Sequence, residues 1–203
     1  MPEPTTSEAT TTEAAAHAPL GQTPSQTVGP FYGYALPYER GGEIAAPWRA
    51  DAIRLHGTVT DGAGETVPDA ILELWGLDAD GTPVAQRGSL ERDGYTFTGF
   101  GRTPADRDGH YSFTTNKPGR RDAGAAPYLL VTIFARGLLH HLFTRAYFGD
   151  QPDENAADKV LAGLDPERRA TLIATPDAPG SYRFDIRLQG EDETVFFDFG
   201  QEL

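Results

Sequence analysis

The sequence predicts an all-β domain, a β-sandwich or barrel with long loops, an irregular N-terminal arm and one or two short inserted helices. Three observations carry this reading. Apolar residues recur with a period of two over several short stretches, the pattern of half-buried strands. Four Asp-Gly dipeptides, at 61–62, 80–81, 93–94 and 108–109, supply turn chemistry around them. Glycine (23) and proline (16) together make about 19% of the chain, against roughly 12% in average usage. That is too turn-rich for a helical bundle or a coiled coil.

The elements follow in order. Residues 1–19 are rich in Thr, Ala and Glu and read as a disordered acidic tail, because they bury too little apolar surface to offset the entropy of ordering. They lack the basic and apolar regions of a secretory signal. Residues 20–50 form an arm with neither helical nor strand period. Phe31, Tyr32, Tyr34 and Tyr38 are too apolar to stay in water, so the arm is expected to pack over the domain and over a partner chain.

Residues 51–203 form the β domain. Ile53, Leu55, Gly57 and Val59 alternate with Arg54, His56 and Thr58. Leu72 and Leu74 flank Glu73, and Tyr111 and Phe113 flank Ser112. Residues 127–136 and 139–148 are mostly apolar, as expected of central strands buried on both faces. Tyr182, Phe184, Ile186 and Leu188 alternate with Arg183, Asp185 and Arg187, and Val195, Phe197 and Phe199 form a last strand. Residues 99–104, with Pro104, read as a loop. A helical stretch opens at Asp153 and runs through Leu161 to Gly163. A second opens with Asp165 as N-cap and Pro166 at the first helical position.

Composition narrows the chemistry. The chain has no cysteine, which excludes disulfides, thiolate metal sites and cysteine nucleophiles. Its net charge of -13 argues against nucleic acid, whose binding needs lysine and arginine against phosphate. No apolar run approaches the ~18 residues of a membrane-spanning helix, and a cytoplasmic protein is expected. The histidines are His17, His56, His110, His140 and His141, with no His-x-His and no His-x-x-x-His among them. No serine lies in Gly-x-Ser-x-Gly, and no phosphate-binding loop is present. Spacing alone therefore yields no self-contained active site.

An ordered set of segments is more specific. Gln26-Thr27-Val28-Gly29-Pro30-Phe31-Tyr32 is followed by Val67-Pro68-Asp69-Ala70 leading into Leu72-Glu73-Leu74-Trp75. Gly101-Arg102-Thr103, Asp108-Gly109-His110-Tyr111, Lys117-Pro118-Gly119, Phe134-Ala135-Arg136-Gly137 and Tyr182-Arg183-Phe184-Asp185 come next. Together they resemble the intradiol ring-cleavage dioxygenases from about residue 20 to 199. The resemblance implies a β-sandwich. It also implies ferric iron held by two tyrosines and two histidines, and insertion of both atoms of O2 as the ring opens between its hydroxyl-bearing carbons.

At each ligand position the chain departs from that pattern. Pro83 and Arg121 stand where the family has tyrosines, and Tyr128 and Leu130 where it has histidines. Leu130 has no donor atom, and Arg121 would repel a ferric ion. This is the pattern of the iron-free chain in the family's two-chain enzymes. The resemblance then implies a homologous beta subunit that holds Fe(III), in an alpha–beta hetero-oligomer. The complex would cleave 3,4-dihydroxybenzoate to 3-carboxy-cis,cis-muconate in the beta-ketoadipate pathway of aromatic catabolism.

Carried over to this chain, the substrate-binding residues are Thr27, Pro30 and Arg136. No residue of this chain alone is expected to be catalytic. A guanidinium suits an anionic aromatic ligand, and strand parity is expected to put Arg136 on the side of Tyr128 and Leu130. Trp75 and Phe134 are expected in the core, Arg102 is expected to hold a loop, and Tyr32 and Tyr34 do not match ligand positions. The competing reading is a transthyretin-like β-sandwich that only binds.

Overall fold

The structure is a computed structural model that describes residues 21, 23–84 and 92–199. The tail predicted over residues 1–19 lies outside them. The alternating segments become strands at the expected places. These are β1 (Ala52–Thr60), β2 (Ile71–Trp75), β4 (His110–Asn116), β5 (Tyr128–Phe134) and β6 (Leu142–Phe148). β3 (Phe100–Pro104), β7 (Ile173–Ala178), β8 (Ser181–Arg183) and β9 (Ile186–Arg187) complete the set.

The strand order is β3-β2-β5-β6-β7-β8-β1-β4, with β9 on β1. β7 joins two layers. Its first residues pair in parallel with the end of β6, and beyond them it pairs antiparallel with β8 across a bulge at Pro176–Ala178. The core lies between the layers. Leu72, Leu74, Leu129, Val131 and Ile133 from one meet Leu55, Val59, Tyr111, Phe113 and Phe184 from the other, all almost fully buried. The expected sandwich is therefore the observed one.

A second cluster covers the outer face of β6, where Tyr147 packs with Leu161, Leu172 and Val195. Leu161 and Leu172 come from the insertion between β6 and β7, and Val195 from the segment after β9. In that insertion the single helical stretch expected from Asp153 is two helices, α2 (Pro152–Ala157) and α3 (Lys159–Ala162). Asp158 separates them, because its side chain accepts the Val160 and Leu161 amides and caps α3. α4 (Pro166–Ala170) begins with Pro166 as predicted, but Asp165 makes no side-chain cap.

Several expectations are corrected. Residues 100–104 are a strand, not a loop. Pro104 is tolerated because β3 is an edge strand and pairs only with β2. Residues 182–188 do not form one strand. The break falls at Phe184–Asp185, where the Phe184 carbonyl accepts the buried Tyr111 hydroxyl at 2.5 Å and Asp185 accepts the Thr58 amide at 3.0 Å. Residues 195–199 make one isolated bridge, Phe143 to Phe197, rather than a strand. The arm contains one helical turn, α1 (Tyr32–Ala35), which is too short to show a period.

Trp75 and Phe134 are not core residues. Trp75 is 49% exposed against Phe100, and Phe134 is half-buried against His141. Parity explains both. Leu72 and Leu74 of β2, and Leu129, Val131 and Ile133 of β5, point inward, so Trp75 and Phe134 belong to the outward set.

Candidate functional site

Two cavities sit at opposite ends of the β2–β5 pair. Ile71 faces Phe134 at one end and Trp75 faces Leu130 at the other. Those pairs are about 13 Å apart along the strand.

The first cavity, about 290 Å³, is lined by Pro30, Tyr32, Pro68, Asp69, Pro104 and Arg136, among others. The arm reaches it through two anchors. Thr27 Oγ1 accepts the Gly137 amide at 2.7 Å, and the Tyr32 hydroxyl donates to the Asp69 carbonyl. Gly137 has φ +92°, a left-handed conformation that glycine adopts without strain. This turn ends β5 and swings Arg136 out of the strand. Strand parity therefore does not extend to Arg136, since β5 stops at Phe134. Arg136 belongs with Thr27 and Pro30, not with Tyr128 and Leu130.

Arg136 donates its Nε–H to Asp69 Oδ2, and that carboxylate raises the guanidinium pKa further. Tyr32 is pushed up to about 12, by burial first and then by the Asp69 charge, so its phenol stays protonated and donates. Among the described residues Asp69 is the carboxylate that Arg136 meets, and the hydrogen bond to it runs from Nε. A guanidinium fork suits a carboxylate ligand. Asp69 and Tyr32 were not among the predicted site residues. The only sequence signal for Asp69 was its place in Val67-Pro68-Asp69-Ala70.

The second cavity, about 250 Å³, counts Pro83, Arg121, Tyr128 and Leu130 among its lining residues. Trp75, Leu77 and Val84 make it largely apolar. Its donor set does not fit Fe(III). Tyr128 brings one phenol, Arg121 is a cation with no lone pair to offer, and Pro83 and Leu130 have no side-chain donor. Among the described residues no group of three His, Cys, Asp or Glu side chains converges on a metal position.

The remaining histidines lie elsewhere. His140 and His141 sit in the turn before β6. His56 and His110 meet on the β1–β4 layer. His110 Nε2 lies 3.3 Å from His56 Nδ1, and His56 Nε2 lies 2.8 Å from Asp177. Neither lines either cavity. Arg102 holds a loop as expected. Its guanidinium pairs with Glu73 across β2 and β3 and donates to the Leu36 carbonyl of the arm at 3.1 Å.

A sandwich with an apolar pocket at the end of its central strands, and an arm folded over the opposite end, defines a class that the comparisons identify. Residues 48–190 match the family described as Dioxygenase (Dioxygenase_C), and the chain belongs to it. Within it, the chain is 47% identical over 196 residues to the protocatechuate 3,4-dioxygenase alpha chain of Burkholderia cepacia, covering 88% of this chain and 98% of that one. It is 29% identical over 158 residues to the beta chain from the same organism, covering 71% and 67%. Among solved structures, the dioxygenase domain of a carbohydrate-binding fusion protein from Streptomyces sp. SirexAA-E superposes with a TM-score of 0.54. That match has 21% identity and covers 83% of this chain and 99% of that one. It bears on the fold alone. Nothing in these relatives favours a module that only binds.

Proposed function

We propose that this chain is the iron-free alpha subunit of a heteromeric protocatechuate 3,4-dioxygenase. The observation that carries the reading is the second cavity. Its lining includes Pro83, Arg121, Tyr128 and Leu130, where the resemblance implies iron ligands, and among the described residues it offers no ligand set. The likeness to both alpha and beta chains supports a homologous partner that holds Fe(III). The complex opens 3,4-dihydroxybenzoate with O2 to 3-carboxy-cis,cis-muconate. The arm of residues 20–50 and the β domain beyond it then have distinct tasks. The β domain supplies the scaffold, and the arm, with Thr27, Pro30 and Arg136, supplies part of the substrate wall at the partner's site. The cytoplasm is the compartment in this reading. A chain without cysteine needs no oxidising environment.

The test is expression alone and with a homologous beta chain. Alone, the protein should carry no stoichiometric iron and no tyrosinate-to-iron absorption band. Together, the pair should be coloured and should consume O2 with 3,4-dihydroxybenzoate. A coloured, active preparation of this chain alone would overturn the assignment. So would failure of the two chains to associate.

A further inference from the structure

Beyond the iron-free pocket, the structure has a third cavity of about 360 Å³ that shares Arg121, Ala125 and Tyr128 with it. Its size falls within the roughly 300–1,000 Å³ of small-molecule sites. Its charge is unusual for a chain with a net charge of -13. Arg121, Arg145 and Lys159 all line it.

Arg145 is the centre of this cluster. It is half-buried and has no carboxylate partner among the described residues. Its guanidinium lies 4.3 Å from the Tyr128 ring centre and 4.9 Å from that of Phe197. Cation–π contact with both rings holds the plane in one orientation. Nη1 donates to the Tyr147 hydroxyl at 3.2 Å, while Nε is buried and has no hydrogen-bond partner. A buried donor left unmade is costly. The Nε atoms of Arg169 and Arg187 are in the same state, so the case for a ligand rests on the cavity and its cations.

The two acids nearby offset part of the cluster and leave three cations against two carboxylates. Asp158 is buried and held in place by amides. It accepts the Val160 and Leu161 amides at 2.9 and 3.1 Å through Oδ1 and the Ala126 amide at 2.9 Å through Oδ2. Asp122 is exposed and reaches only Arg121, at 3.9 Å. The cavity therefore holds an excess of positive charge beside an aromatic ring.

We infer that this cavity is a binding site for a small planar carboxylate, an aromatic or conjugated acid, with Arg145, Arg121 and Lys159 as its anion-binding groups and Tyr128 as its ring contact. Guanidinium forks match planar carboxylates in a way that a lone ammonium does not. The site needs neither iron nor O2, so its test is independent of the proposed catalytic role.

The experiment is calorimetric titration of the full chain with benzene-1,3-dicarboxylate, with inorganic phosphate as the tetrahedral control. Saturable one-to-one binding of the dicarboxylate is expected, with affinity falling about tenfold or more in Arg145→Gln. Because Arg145 also packs against rings, the double variant Arg121→Ala with Lys159→Ala, at exposed positions, serves as the fold-neutral arm and should lose about tenfold too. Absence of saturable heat up to about 10 mM, weaker than any millimolar site, would overturn the inference. Unchanged affinity in the double variant, or phosphate binding as tightly as the dicarboxylate, would overturn it equally.

Discussion

Asp69 accepts the Nε–H of Arg136 through its side chain and the hydroxyl of Tyr32 through its backbone carbonyl. One residue of the turn before β2 thus fixes both the arm and the guanidinium of the candidate substrate wall. Asp69 and Arg136 line the same cavity, and Asp69 holds the guanidinium through its Nε–H.

From that relationship Asp69 is expected to act as a positioning residue with a graded effect. In the two-chain enzyme, Arg136→Ala should raise KM for 3,4-dihydroxybenzoate and leave iron content unchanged. Asp69→Asn should do the same more weakly, by about twofold to fivefold, because an exposed ion pair contributes little in water. Steady-state kinetics with iron analysis checks both. If kcat fell while KM stayed fixed, Arg136 would not orient the substrate.

Gly57 of β1 lies against the main chain of Phe184, and a Cβ at that position would collide with the Phe184 carbonyl. That carbonyl cannot retreat freely, since it accepts the Tyr111 hydroxyl, and the Phe184 amide donates to His56 at 2.7 Å. Gly57→Ala should destabilise the fold by about 1–3 kcal/mol, the usual cost of overpacking. Urea unfolding should show a lowered midpoint at an unchanged slope.

Arg102 and Glu73 form a partly buried pair at 2.5 Å, with side chains 20% and 15% exposed. Arg102→Met keeps the aliphatic stem but leaves Glu73 and the Leu36 carbonyl without their donor. A loss of about 1–3 kcal/mol is expected, with faster amide exchange in the arm at Leu36. Urea titration and hydrogen exchange measure the two effects.

Asp150 is taken partly out of water, which raises its pKa. Hydrogen bonds from Lys117 and Tyr182 outweigh this, so the carboxyl ends below its ordinary value of 3.8. A carboxyl lowered in the folded state contributes stability that is present above its unfolded pKa. That contribution is lost as pH falls through the folded value. Asp150→Asn should therefore flatten the stability profile below about pH 4 and lower stability at neutral pH. An unaltered acid limb in thermal melts across that range would show that the pair contributes nothing.

The strands were largely legible in the sequence, for a local reason. Alternation places residues on one face or the other wherever the chain is extended, as Leu72, Leu74, Tyr111 and Phe113 show. The same parity, applied to β2 and β5, would have put Trp75 and Phe134 outside. Their size argued for the core, and their position decided against it. β3 was hidden because its proline reads as a breaker until the strand is known to lie at the sheet edge.

The sequence by itself determined the fold class, the family and the absence of a ligand set at Pro83, Arg121, Tyr128 and Leu130, since these depend on residue identity in order along the chain. Only the tertiary structure decided that Arg136 leaves β5 and joins Asp69, 67 positions away, while Arg121 and Arg145 line one cavity with Tyr128. Such pairings depend on where strands end and which layers stack. Those are set by packing between distant segments, and periodicity along one segment carries no record of them.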